Sequence, residues 1–162
     1  MNANAIRHFY DYHFAENRKI WDRYITLLSQ EQFTQKTDYS HGSVRDQVLH
    51  LIDVDEAWFR DLGGDELPAS LAPEDFDDRA KIRAHWDNVE QMMRDYLAGL
   101  EDDMLFDKPL TGEDTNLILW QVLLHVVNHG TDHRAQLLRV LNDLGVQTTS
   151  QDYIFYVYDN PQ

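Results

Sequence analysis

The chain has 162 residues, about the size of one ordinary domain, and its 43% hydrophobic and 12% aromatic content suits a packed core better than a disordered segment. Its 14 Lys and Arg face 29 Asp and Glu; the formal net charge of -15 repels phosphate backbones and anionic lipid, so neither nucleic acid nor a membrane surface is an expected partner. With no cysteine anywhere, disulfides, thiolate metal sites and a cysteine nucleophile are all excluded.

The N-terminal stretch MNANAIRHFYDYHF lacks the basic, apolar and small-residue succession of a secretory signal, and no window is apolar enough to span a bilayer. The expectation is a cytoplasmic protein forming one domain over residues 1–162.

Four segments carry helical periodicity. The first covers about 4–29, where Ile6, Phe9, Tyr10, Phe14, Trp21, Tyr24 and Leu28 recur at helical spacing. After the break DYSHGS, Ser43 is placed to cap a second helix over about 43–62. GGDELPASLAPEDFDD then makes a long acidic connection, interrupted by Gly and Pro, that either rims a pocket or is simply solvated. A third helix over about 77–100 aligns Ile82, Trp86, Val89, Met93, Tyr96 and Leu100. The fourth covers about 115–144 and stops at Gly145. The aromatic tail DYIFYVYDN reads as an extended segment or a turn against the body. Four amphipathic helices without a strand signal predict an all-α four-helix bundle, and the long second connection allows a crossover.

The fourth helix contains His125, His129 and His133 in the stretch LLHVVNHGTDHRAQLL. Winding it at roughly 100° per residue sorts them. His125 falls among Gln121, Asn128, Asp132, Gln136 and Arg139 on the polar side. His129 and His133 fall at the edge of, or within, the apolar arc of Val122, Val126, Leu137 and Leu141. On the second helix, Arg45, Asp46, Asp53, Glu56 and Arg60 mark a solvent face, and His50 borders the interior beside Val54 and Ala57. Two inward imidazoles at i and i+4 reach one ion, and a third from another helix completes a donor set suited to zinc, nickel, copper or iron. The plain alternative is that such histidines are hydrogen-bonded core residues, and spacing alone leaves both open. His8 and His41 read as exposed or in a loop. His13 and His85, inside apolar arcs, are candidates for a fourth ligand or a base.

Arg134 winds into the middle of the apolar arc, where an unpaired charge costs several kcal/mol on the order of magnitude. Asp55 and Asn17 are inward polar groups able to hold it, so Arg134 is expected to tie helices beneath the site unless its stem snorkels to the surface.

GSVRDQVLHLIDVDEAWF, LLHVVNHGTDHRAQL and the N-terminal YDYHFAENRKIWDRY with its Asn17 resemble the signature regions of the DinB-like superfamily, which includes the YfiT-type metalloenzymes and is unrelated to the DNA polymerase sharing the name. The resemblance runs in order over almost the whole chain. It implies a four-helix bundle of DinB/YfiT type with a long crossover, often a homodimer, and a divalent metal on three histidines, here His50, His129 and His133. Many members have Gly after the Arg, where this chain has Ala135. The metals implied are zinc or nickel first, then iron or manganese. The activity implied is a metal-dependent transferase activating a low-molecular-weight thiol, with a small molecule as the other partner. A metal-dependent hydrolase that activates water is the alternative, as is a non-catalytic stress protein binding a metal or small ligand.

Overall fold

The computed structural model describes residues 1–161, and every regular element among them is helical. Four long helices carry the structure: α1 (Ala3–Arg23), α3 (Val44–Gly63), α4 (Arg79–Ala98) and α5 (Leu119–Asp143), with short α2 (Gln30–Thr34) and α6 (Tyr153–Asp159) between and after them. Among the described residues no helix is long and apolar enough to cross a membrane.

Local chemistry sets the starts. The Asn2 side chain accepts from the Ala5 amide, Ser43 from Asp46 and Asp78 from Ala80, each filling an otherwise orphaned donor. α3 ends where Gly64 turns left-handed at φ 73°. Ser29 and Gln32 form a reciprocal capping box for α2.

Packing fixes the order around the bundle as α1, α4, α3, α5. Arg18 pairs with Glu90 and Arg94 with Asp11, so α1 and α4 run antiparallel. Glu56 bonds His85 and Phe59 stacks edge-on to Tyr96, so α3 and α4 run parallel. That pairing requires the connection over residues 64–78 to cross the length of the bundle, as its length suggests. The Tyr10 hydroxyl donates to the Leu123 carbonyl 3.0 Å away, and α1 lies parallel to α5. Between the helices Ile6, Phe14, Ile52, Ile82, Met93, Val126 and Leu137 are buried, each contributing about 1.5–3 kcal/mol of transfer free energy.

Three expectations are corrected. The first helix does not reach residue 29: α1 ends at Arg23, Ile25–Leu27 form a 3₁₀ turn, and α2 follows. The break is fixed from outside, because Arg79 donates at 3.1 Å to the Ile25 carbonyl, which also accepts the Leu28 amide of the 3₁₀ turn, and the Tyr24 hydroxyl is 2.8 Å from Thr149 Oγ1. The fourth helix starts at Leu119, where the Gln121 side chain caps the Ile118 amide and the Leu119 amide donates to the Asp107 carbonyl. The tail is neither turn nor strand. It folds as α6, placing Tyr153 edge-on to Phe9 and Tyr12 and setting Tyr156 against Tyr12.

Candidate metal centre

His50 on α3 faces His129 and His133 on antiparallel α5. Ring centroids lie 4.2 Å apart for His129 and His133, 4.5 Å for His50 and His133, and 5.2 Å for His50 and His129. Helical spacing thus brings together the three rings it selects. His125 is exposed, as its polar face predicts, and stands edge-on to Trp58.

A fourth ring joins them. His41, in the loop before α3, stacks on His50 with centroids 3.7 Å apart and planes 18° off parallel. His41, His50 and His133 present ring nitrogens that all lie within 4.8 Å of one another. His41 is exposed and in a loop, as its sequence context suggests, but helical winding gives no hint that it reaches the site. The only available signal is its position two residues ahead of the Ser43 cap, which delivers it to the mouth of the helix bearing His50.

The cluster suits a cation with nitrogen ligands. Nδ1 of His129 and Nδ1 of His133 are buried without a hydrogen-bond partner. Burial, reinforced by the neighbouring histidines, lowers the pKa of His50 to about 4. Burial and then His133 lower His129 to about 4, against an opposing pull from Asp55. Burial and His41 lower His133 as well. At neutral pH these rings are therefore neutral, each keeping one N–H and one nitrogen lone pair, the form that binds metal. Among the described residues, then, the donor set fits a divalent transition metal.

A cleft of about 240 Å³ opens beside the cluster, lined by His41, Asp46, Leu49, His50, Asp53, Leu71 and Pro73. Leu71 and Pro73 come from the crossover connection, whose acidic side chains Asp65, Glu66, Glu74 and Asp75 are exposed. Asp53 accepts the Leu71 amide at 3.0 Å and holds the connection in place, while burial raises the carboxyl's pKa.

Beneath the rings lies a buried polar chain. Arg134 donates from Nη1 to Asn17 Oδ1 at 2.9 Å and to His13 Nδ1 at 3.0 Å, and from Nε to Gln151 Oε1 at 3.0 Å. A guanidinium can only donate, so His13 Nδ1 accepts and the ring's Nε2–H points to Asp55 Oδ2, 3.1 Å away. Arg134 thus ties α5 to α1 directly through Asn17, and reaches Asp55 on α3 only by way of His13. Its stem does not snorkel; the residue is fully buried, and burial lowers its pKa. Being enclosed, it offers no charge to an incoming anion. His13 is therefore a buried relay within this chain. His85 bonds Glu56 instead, and Glu56, expected on the solvent face, is buried between His85 and Arg60.

A parallel-crossover helical bundle with imidazoles converging from two helices and a loop defines a histidine-centred helical protein compatible with metal binding. The DinB family model matches residues 1–161, and the chain belongs to the DinB family. It is similar to Protein DinB of Bacillus subtilis strain 168, with 26% identity over 161 residues covering 92% of this chain and 91% of that protein.

Proposed function

We propose that this protein is a metal-dependent enzyme in which His50, His129 and His133 hold a divalent ion, zinc or nickel, and that it transfers a low-molecular-weight thiol onto a small electrophile. The observation carrying this reading is the convergence of three neutral imidazole rings, with centroids 4.2–5.2 Å apart, next to an open cleft. An ion bound there supplies Lewis acidity, which lowers the pKa of a thiol or water and polarises a carbonyl.

The chain's own residues do the rest. Leu71 and Pro73 give a small molecule an apolar patch in a cleft otherwise lined by polar side chains, His41, Asp46, His50 and Asp53. Asp53 anchors that wall through the Leu71 amide. Because the chain has no cysteine, the sulfur arrives on a cosubstrate. In the transfer the thiol gives its proton to solvent water, a carbon–sulfur bond forms, and the electrophile's leaving group departs with the displaced electron pair.

Two measurements test the proposal. Elemental analysis of protein purified without a histidine tag should find stoichiometric metal. A screen of thiols with electrophiles should find turnover that is lost in His129→Ala while the helical fold persists. Turnover without thiol would replace the transferase with a hydrolase, and metal without any turnover would leave a binding protein. Absence of metal would sink the reading as a whole.

A further inference from the structure

We infer that His41 is a fourth ligand to the ion, delivered from the loop rather than from a helix; this rests on the metal-centre reading above. Three observations carry it. The group of ring nitrogens lying mutually within 4.8 Å contains His41 together with His50 and His133, while His129 lies outside that group with its ring centroid 4.2 Å from that of His133. A zinc with bonds of about 2.0–2.1 Å sets its nitrogens about 3.4 Å apart when tetrahedral, so the rings must close by roughly an ångström, and expansion to five-coordination keeps a position for the thiol. His41 is the ring most free to close on the others, because its side chain is exposed on a loop while those of His50, His129 and His133 are half-buried on helices.

The loop is built to present the ring. Thr37 Oγ1 donates to the carbonyl of Gly42 at 2.7 Å, and the Gly42 amide donates to the Tyr39 carbonyl at 3.1 Å, closing a tight turn around residue 41. Ser40 adopts φ 54°, a left-handed conformation unusual for a residue with a Cβ, and its hydroxyl bonds the side chain of Gln136, one turn beyond His133. The residue before His41 is thereby pinned to the helix that carries two of the other rings. An exposed histidine with no role would not need strained backbone and a cross-element anchor to be laid on His50.

Coordination and mere stacking separate experimentally. Cobalt(II) is titrated into metal-free protein, with affinity read by chelator competition, and the number of imidazoles about bound zinc is counted by X-ray absorption. The wild type should show four imidazoles. His41→Ala and His41→Phe should both show three and bind cobalt at least about tenfold more weakly, a loss at least as large as that from a typical supporting residue. The phenylalanine keeps a stacked ring and removes the nitrogen. If His41→Phe binds cobalt like the wild type, or if three imidazoles are counted with His41 intact, the fourth ligand is refuted. His133→Ala keeps the two readings distinguishable. Lost affinity in His133→Ala with unchanged His41 variants refutes this inference alone, whereas unchanged affinity in His133→Ala refutes the metal centre itself.

Discussion

Gly130 of α5 makes room for His13 of α1: a Cβ built on that glycine would stand 2.4 Å from the imidazole Cε1 and 2.8 Å from Nδ1. The absent side chain lets the His13 ring slide against the α5 backbone and stand between Arg134 and Asp55. Glycine inside a helix ordinarily costs about 1 kcal/mol relative to alanine, so at an open site Gly130→Ala would stabilise the protein. Here it should destabilise by about 1–3 kcal/mol, the usual range for overpacking, because the ring cannot retreat without breaking two hydrogen bonds. Urea denaturation decides the sign, and a gain in stability would count against the packing described.

Arg134→Met should be more damaging. Removing one member of a buried charged network typically costs about 3–5 kcal/mol, since the groups left behind keep their desolvation penalty. Asn17 Oδ1, His13 Nδ1 and Gln151 Oε1 would all lose a donor. Thermal and chemical melts at neutral pH should show the loss. Hydrogen exchange should show reduced protection in α1 near Asn17 and in the segment around Gln151. A variant as stable as the wild type would mean that the network contributes nothing.

The three helical histidines also set a pH response in metal-free protein. Their folded pKa values lie below the ordinary 6.5, at about 4 for His50 and His129. The unfolded chain therefore takes up protons that the folded chain refuses between roughly pH 6.5 and 4, so stability is full above that window and falls as the pH drops through it. Carboxylates titrate at the acid end too, so the informative quantity is the difference between the wild type and His50→Gln plus His129→Gln. The double variant should lose less stability than the wild type between pH 7 and 4.5; identical profiles would show that these rings are not proton-poor in the fold.

Metal should act as a stabilising ligand. An ion that binds only the folded chain adds about 2.7 kcal/mol at a free concentration one hundred times its Kd. Zinc or nickel should raise the melting temperature, chelator should reverse the shift, and His133→Ala should abolish it. An equal rise in wild type and variant would place the ion elsewhere.

Much of the scaffold is legible in the residues, because each long helix buries one face and its period is visible in Ile6, Tyr10 and Phe14 or in Val122, Val126 and Leu137. The same winding sorts His129 and His133 from His125. It fails where tertiary contacts override local pattern. The apolar period runs on past Arg23, and only Arg79 and Thr149, distant in sequence, show why the helix stops. Glu56 looks solvent-facing until His85 arrives from the neighbouring helix to hold it. His41 belongs to no periodic element, so nothing in its neighbourhood points toward α5. The tail's crowded aromatics disguise a short helix whose Tyr153 and Tyr156 meet Phe9 and Tyr12 on α1.

The segment after α5 is wired to the centre of the molecule. Gln151 accepts from Arg134 through its side chain and from Tyr12 through its carbonyl, and its own amide donates to the Thr131 carbonyl. Cleaving the backbone just upstream of Thr149 would therefore do more than loosen an appendage. The disturbance would pass from Gln151 to Arg134, on to His13 and then to Asp55, whose charge is felt at His129. A nick at the periphery would retune the half-buried His129 imidazole with no substitution at the site itself.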